Sequence, residues 1–305
     1  MEANNQTCIG RVIAGSNGLY TIETPTGITQ CRVTGRFMHL AASPSDYPVT
    51  GDLVELNSNT ISGLVPRKSV MTRAMAGQRK DAQLICANVD FILICMSLND
   101  NLNPRRLERY IAAIAAGGAE PVLVLTKADL NKNAESIRSE YQRSYGIRTL
   151  LCSAPDAYDE VRALLTQGVA CALVGSSGVG KSTLLNALLG SSVQATLAIS
   201  QKGDRGRHTT TARELFTLPS GAAVIDTPGM RELKLDNSDV DAAFTDIIAL
   251  ASQCKYSDCK HEREPGCAVK AAVAEGRLDP ARLASYVKLA KEQQRKATHF
   301  HRLQH

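Results

Sequence analysis

The chain has 305 residues, of which 44% are apolar and 21% are charged, a composition typical of a soluble protein of two or three domains. No apolar run approaches the ~20 residues of a membrane-spanning helix, and the N-terminus MEANNQTCIG lacks the apolar segment of a signal peptide, so we expect no membrane association. The net charge of +5 is only weak support for a nucleic-acid partner. Nine cysteines, several within strand-like apolar runs, favour a reducing cytoplasm.

Two segments concentrate the positive charge. Residues 67–80 contain five basic residues and no acidic one, and residues 282–305 are also strongly basic. Either segment alone is typical of a solvated surface. Together with the motifs below, they favour contact with nucleic acid.

Residues 1–68 have the pattern of a small all-β domain. Five strand-like segments are separated by turn residues: CIGRVIAG, LYTIET, ITQCRVTG, DLVELN and ISGLV. Five short strands in a small domain predict a β-barrel of the oligonucleotide-binding type, the OB-fold. Because this segment has few aromatic residues for base stacking, loops would have to carry any RNA contact. A barrel used only for packing is the alternative.

In residues 69–235 buried strands alternate with helices, which predicts a parallel α/β sheet. The strands are NVDFILICMSL, PVLVLTKADL, IRTLLCSAP, VACALV and GAAVIDTPGM. After the first strand we expect a helix with Asn103 as its N-cap, Pro104 at its first position and Gly117-Gly118 at its end. Ligands of such sheets bind at the carboxyl ends of the strands, where every polar motif of this segment falls.

The segment GSSGVGKS, residues 175–182, matches the phosphate-loop pattern G-x-x-x-x-G-K-[ST] between a strand and a helix. Its backbone N–H groups would surround the β-phosphate, Lys181 would reach the β- and γ-phosphates, and the Ser182 hydroxyl would ligate Mg²⁺. The predicted phosphate-site residues are Gly175, Ser176, Ser177, Gly178, Val179, Gly180, Lys181, Ser182 and Thr183.

The guanine base would be read by TKAD, residues 126–129, which is similar to the N-K-x-D motif of GTP-binding proteins. Asp129 would accept hydrogen bonds from guanine N1–H and its amino group, and the Lys127 stem would lie on the base. Thr126 replaces the usual Asn, so we expect a weaker tie to the phosphate loop. In CSA, residues 152–154, the Ala154 N–H would face guanine O6. The predicted base-site residues are Thr126, Lys127, Ala128, Asp129, Ser153 and Ala154.

Two further segments have the pattern of nucleotide switches. In DTPG, Asp226 would hold Mg²⁺ and the Gly229 N–H would meet the γ-phosphate. In GDRGRHTTT, residues 203–211, either Thr209 or Thr210 would complete the Mg²⁺ shell; we assign Thr210 to the metal and both to the GTP site.

The usual switch II glutamine is absent. Met230 follows Gly229, and a thioether cannot orient the attacking water, so intrinsic hydrolysis should be slow. We therefore assign the catalytic roles to Lys181 and His208; a surface histidine is the alternative for His208.

The motif order is base reader, O6 loop, phosphate loop, switch I and switch II. This is a circular permutation of the order in Ras-like GTPases, and it places switch II directly before the C-terminal region. Cutting a chain at a surface loop and joining its old termini preserves the packing of the sheet.

Residues 236–305 contain a metal-ligand pattern among helical segments. Cys254, Cys259, His261 and Cys267 form C-x4-C-x-H-x5-C, which predicts one closed structural Zn²⁺ site per chain. Four free residues on a loop are the alternative. The last helix is amphipathic and basic.

The barrel, the permuted GTPase motifs and this Cys-Cys-His-Cys pattern together resemble the bacterial ribosome small subunit-dependent GTPase A family. Three further segments also resemble sequences of this family: NVDFILICMSLNDNLNPRRLERYI, GRHTTT and DCKHEREPGCAV. The resemblance implies a late assembly factor of the small (30S) ribosomal subunit that binds 16S rRNA, binds Mg²⁺ with GTP, hydrolyses it to GDP and leaves. We expect a cytoplasmic monomer. Two alternatives are a permuted GTPase acting on the large subunit and a non-catalytic RNA-binding module with GTP as a structural ligand.

Overall fold

The computed structural model describes residues 8–16, 18–74, 82–99, 102–153, 158–190, 213–227 and 240–301. Along the chain, a closed β-barrel is followed by a six-stranded α/β sheet and then by a group of helices. The predicted architecture, a parallel α/β sheet between an OB-like barrel and a helical C-terminal region, is confirmed.

The N-terminal barrel is closed by five short strands. They are β1 (Cys8–Ser16), β2 (Leu19–Thr24), β3 (Gly27–Val33), β4 (Leu53–Asn57) and β5 (Thr60–Leu64). The pairing runs β1-β2-β3-β5-β4 and returns to β1, and only the β3–β5 pair is parallel. Alternate residues point inward and form a separate core: Val12, Tyr20, Ile22, Cys31, Val54, Leu56 and Ile61. A short helix, α1 (Gly35–Leu40), connects β3 to the second half of the barrel.

A two-stranded hairpin joins the barrel to the α/β sheet. Its strands are β6 (Val70–Ala74) and β7 (Ala82–Ala87). The Val70 N–H donates to the Gly117 carbonyl at 2.8 Å, and a Cβ on Gly117 would lie 1.8 Å from the Val70 carbonyl oxygen. The predicted Gly117-Gly118 pair therefore not only follows the helix end but also lets the hairpin backbone approach.

The α/β sheet has the strand order β10-β9-β8-β11-β13-β12. Its strands are β8 (Phe91–Ser97), β9 (Glu120–Thr126), β10 (Arg148–Leu151), β11 (Ala170–Val174), β12 (Glu214–Thr217) and β13 (Ala223–Asp226). All are parallel except β12, an antiparallel edge strand that our sequence analysis did not identify. Glu214 of β12 also pairs with Ala14 of β1, so the barrel and the sheet are joined edge to edge.

Helices cover both faces of this sheet. They are α2 (Pro104–Ala115), α3 (Ala134–Tyr145), α4 (Asp159–Leu164) and α5 (residues 181–190). The first two pack on one face, and α4 and α5 pack on the other. As predicted, α2 begins at Pro104, and the Asn103 side chain caps it by accepting from the Arg106 N–H at 3.1 Å.

The C-terminal helices pack onto the same face as α2 and α3. They are α6 (Val240–Ala243), α7 (Thr245–Ala251), α8 (Ala268–Ala274) and α9 (Pro280–His301). Buried residues such as Phe244 and Ile247 belong to the same apolar core as the sheet. Among the helices that the structure describes, none is long and apolar enough to cross a bilayer.

A buried charge cluster ties α9 to α2. The Arg282 guanidinium, whose side chain is 8% exposed, donates two hydrogen bonds of 2.7 Å to the Asp246 carboxylate and one of 3.4 Å to Glu108 of α2. Its charge lies over the rings of Tyr145 and Phe244 at 4.5 and 4.9 Å. Glu108 also accepts from the Ser285 hydroxyl. Burial raises the Glu108 pKa despite Ser285 and Arg282, so its charged form depends on these partners.

We predict that Arg282→Ala lowers the free energy of unfolding by about 3–5 kcal/mol, because it leaves the buried Glu108 carboxylate without the guanidinium that contacts it. Denaturant-induced unfolding of the purified variant measures this loss. Arg277→Ala, which breaks an exposed ion pair with Glu275, is the control and should cost at most about 1 kcal/mol. Equal losses for the two variants would contradict the assigned role of the buried cluster.

Candidate nucleotide site and metal centre

The polar motifs lie at one edge of the sheet, as predicted. Thr126 ends β9 and Asp226 ends β13, and between them the phosphate loop follows the end of β11. Strand pairing aligns these ends, because Thr126 lies opposite Ser97 and Asp226 lies opposite Leu173. The permuted chain therefore brings the segments predicted to read the base and to bind phosphate to the same edge of the sheet.

The conformation of the phosphate loop requires its glycines. Gly175, Gly178 and Gly180 have φ angles of 139°, 77° and 97°, which other residues rarely adopt. A Cβ on Gly175 would lie 2.4 Å from the Cys95 carbonyl oxygen of β8. Helix α5 starts directly after the loop, so its N–H groups and its positive end face the loop.

Lys181 folds back over this loop. Its Nζ donates to the carbonyls of Gly175 at 2.7 Å and Ser176 at 2.8 Å. Burial lowers the pKa of the Lys181 ammonium, while Cys95 and Asp226 act in the opposite direction. Phosphate oxygens in this loop would favour the charged form of the lysine.

Thr126 connects the base-reading segment to the phosphate loop. Its side chain is buried, and its hydroxyl donates to the Val179 carbonyl at 2.6 Å. We expected Thr126, in place of the usual Asn, to weaken the tie to the phosphate loop. The structure shows that tie as a hydrogen bond from the Thr126 hydroxyl to a loop carbonyl. Lys127 adopts a left-handed backbone with φ of 57°, and its Nζ donates to the Gly178 carbonyl at 3.3 Å.

The two base-reading segments are also bonded to each other. The Asp129 N–H donates to the Ser153 hydroxyl at 3.1 Å, and the Ala128 N–H donates to the Cys152 carbonyl at 3.1 Å. Asp129 itself is exposed. Its backbone is thus held by the neighbouring loop, and its exposed position leaves the carboxylate accessible to a base.

The residues assigned to magnesium fit such an ion where the structure describes them. Burial raises the pKa of Asp226, opposed by Lys181, so its carboxylate would gain from a divalent cation nearby. Ser182 is exposed at the start of α5. A carboxylate and a hydroxyl are oxygen ligands of the kind that Mg²⁺ prefers. When bound with GTP, such an ion neutralises charge on the phosphates.

Several predicted residues lie outside the described part of the chain, and their roles stay predictions. They are Ala154, His208, Thr209, Thr210, Gly229 and Met230.

One contact of the phosphate loop was missed by the sequence analysis. Nη1 of Arg106, in the first turn of α2, donates to the Ser176 hydroxyl at 2.5 Å. A signal for it was available, because the first turn of a helix disfavours positive side chains and α2 has Arg105 and Arg106 there with no acidic residue.

The four predicted zinc ligands come together between α7 and α8. Their ligand atoms all lie within 4.8 Å of one another. Cys254 Sγ is 3.8 Å from Cys267 Sγ and 3.7 Å from His261 Nδ1. His261 Nδ1 and Cys267 Sγ are 3.4 Å apart. A tetrahedral ion with ordinary Zn–S and Zn–N bonds needs separations of about 3.8 and 3.6 Å, respectively. The donor set therefore fits a structural zinc ion.

The pKa shifts of two of the four ligands, His261 and Cys254, suit a metal, whereas burial raises the pKa of Cys259 to about 11. Burial lowers the pKa of His261, which favours the neutral imidazole that binds metals. Burial would raise the pKa of the Cys254 thiol, but N–H groups of Val269 and Ala268 donate to it, and the net shift is downward. Thiolates are the form in which cysteines ligate zinc.

We predict that the purified protein carries one zinc ion per chain and that Cys259→Ala loses it and lowers the unfolding temperature, because the fourth ligand is removed. Elemental analysis and a thermal melt measure both effects. Cys8→Ala removes an exposed cysteine of the barrel instead and should change neither. A metal-free wild-type protein that melts at the same temperature with and without zinc would rule out the site.

Comparison with known proteins agrees with this geometry. A profile of the RsgA GTPase family matches residues 64–236. The chain is 46% identical over 300 residues to the small ribosomal subunit biogenesis GTPase RsgA 2 of Lactiplantibacillus plantarum, covering 96% of this chain and 85% of the relative. It is 40% identical over 297 residues to the small ribosomal subunit biogenesis GTPase RsgA of Xanthomonas axonopodis pv. citri, covering 95% and 82%.

Solved structures show the same architecture. YjeQ from Thermotoga maritima matches with a TM-score of 0.69 and 26% identity, covering 94% of this chain and 98% of that one. YloQ, described as a circularly permuted GTPase, matches with a TM-score of 0.68 and 25% identity, covering 97% and 98%. On the family profile and these identities, the chain belongs to the RsgA GTPase family.

Proposed function

We propose that this protein hydrolyses GTP to GDP and phosphate as a late assembly factor of the small ribosomal subunit, that it binds 16S rRNA, and that the subunit stimulates hydrolysis. The observation that supports the nucleotide part is the hydrogen bond from Thr126 to Val179, which ties the segment proposed to read guanine to the proposed phosphate loop. The relatives named small ribosomal subunit biogenesis GTPase support the partner.

Guanine is favoured over adenine by the chemistry of Asp129. An exposed carboxylate held beside Ser153 can accept two hydrogen bonds from guanine N1–H and its amino group. Adenine offers no such pair of donors on that edge. A site built to receive hydrogen bonds rejects an analogue that cannot make them.

The barrel and the zinc region are the proposed rRNA-binding parts. The basic residues of 67–80 begin at the end of the barrel. Those of 282–305 belong largely to α9, which follows the zinc ligands in the chain, and of these Arg282 is buried in its ion-pair cluster and is not proposed to contact RNA. Lys and Arg clusters contact the phosphate backbone of nucleic acids. We propose that the protein works as a monomer in the cytoplasm, where such subunits are assembled.

Hydrolysis needs a group that orients water, and the switch II position holds Met230 instead of glutamine. We propose that His208 supplies this group when the protein is bound to rRNA, and that Thr210 joins Ser182 and Asp226 at magnesium. The protein alone should then hold GTP and hydrolyse it slowly.

We predict that Asp129→Asn weakens GTP binding by roughly 10–100-fold, the worth of charge-assisted hydrogen bonds, and gains affinity for xanthosine triphosphate, whose O2 accepts from the new amide. Calorimetric titration with both nucleotides measures the exchange. Asp159→Asn, at an exposed carboxylate of α4, is the control and should bind like the wild type. Unchanged GTP affinity in Asp129→Asn would exclude Asp129 as the base reader.

We predict that small subunits accelerate single-turnover GTP hydrolysis by several powers of ten, as a partner does when it completes a GTPase site. His208→Ala should lose most of this acceleration and keep GTP binding. Lys181→Ala should lose both the acceleration and GTP binding.

The same assay separates the alternatives. Equal acceleration by large subunits would favour a large-subunit factor, and hydrolysis that neither subunit accelerates would favour a module that keeps GTP as a structural ligand. Normal acceleration of His208→Ala would show that the ribosome positions the water and would reject only the assignment of His208.

A further inference from the structure

The first turn of α2 brings a second positive side chain to the phosphate loop. Nη1 of Arg106 donates to the Ser176 hydroxyl, while Nζ of Lys181 donates to the carbonyl of the same residue at 2.8 Å. Both cations therefore converge on Ser176, the second residue of the loop. The lysine of a phosphate loop reaches the β- and γ-phosphates, and Arg106 contacts the same loop residue as this lysine.

The backbone of Arg106 is firmly anchored. Its N–H donates to both the side chain and the carbonyl of Asn103, each at 3.1 Å. Leu107 beside it is fully buried, and one residue further Glu108 accepts from Arg282 and Ser285. The guanidinium can therefore change its partner by side-chain rotation while its helix stays in place.

The position of Arg106 in the first turn of α2 is one that a bound anion would stabilise. A positive side chain in the first turn opposes the helix dipole, and α2 has no acidic residue in that turn to offset it. A guanidinium stays charged at any physiological pH and matches the geometry of phosphate oxygens.

We propose that Arg106 binds the terminal phosphate of GTP directly, exchanging the Ser176 hydroxyl for a phosphate oxygen. It thereby supplies, within the chain, part of the positive charge that phosphoryl transfer requires. GDP lacks this phosphate, so the contact distinguishes the triphosphate from the diphosphate. The inference rests on the proposed GTP hydrolysis and adds a phosphate contact to it.

The test is the ratio of affinities for a non-hydrolysable GTP analogue and GDP, measured by calorimetry. Arg106→Ala should lower the affinity for the analogue by at least about tenfold and leave the affinity for GDP unchanged. The reason is that one charge-assisted hydrogen bond is lost only when the triphosphate is bound. Arg106→Lys keeps the positive charge but lacks the paired N–H donors of the guanidinium. Its affinity ratio should lie between those of the wild type and Arg106→Ala. Arg105→Ala removes the neighbouring exposed charge of the same turn and should keep the wild-type ratio.

Ser176→Ala distinguishes two roles of Arg106: direct binding of phosphate, and support of the phosphate loop through the Ser176 hydroxyl. Because Ser176 belongs to the predicted phosphate site, only the ratio of affinities is compared: if Arg106 binds phosphate itself, Ser176→Ala changes the affinities for the analogue and for GDP by the same factor. If Ser176→Ala reproduces the loss, or if Arg106→Ala weakens both nucleotides equally, Arg106 only supports the loop and the proposal is wrong.

Single-turnover hydrolysis gives a second readout and separates this inference from the function on which it rests. Arg106→Ala should reduce the rate at saturating GTP, and an unchanged rate would overturn the inference. A wild-type protein that binds no GTP would instead reject the proposed function.

Discussion

The hydrogen bond between the Thr126 hydroxyl and the Val179 carbonyl is the contact on which the nucleotide site depends. This bond joins the end of β9 to the phosphate loop, whose backbone conformation depends on its glycines. Thr126 and Val179 are buried, so removing the Thr126 hydroxyl would take from the Val179 carbonyl its hydrogen bond in a buried position. Through this bond, the segment carrying Asp129 keeps its position relative to the phosphate loop although it precedes that loop in the chain.

Circular permutation changes the neighbours of this site without changing the sheet. The edge strand β12 pairs with β1 of the barrel, and on the other side α2 meets α9 through Glu108 and Arg282. Helix α2 carries Arg106 at the phosphate loop and, two residues later, Glu108 at the C-terminal region. The parts proposed to bind rRNA are thus packed directly against the elements that hold the nucleotide.

Much of this arrangement could be predicted from local patterns. The five barrel strands, the Asn103 cap, the glycines of the phosphate loop and the four zinc ligands all depend on short-range spacing. Strand β12 was missed because ELFT has only four residues and its pairing with β1 joins segments about 200 residues apart. Arg106 and Arg282 have partners 70 and 174 residues away. The basic first turn of α2 marks Arg106 as unusual, but no local pattern identifies the partner of either arginine.

The central claim is that the permuted order builds one GTP site at the carboxyl ends of β9, β11 and β13. A crystal structure with a non-hydrolysable GTP analogue and magnesium tests it most directly. The account predicts guanine on Asp129, the β-phosphate within residues 175–182 and the ion beside Asp226. A base bound away from Asp129, or phosphates outside that loop, would contradict it.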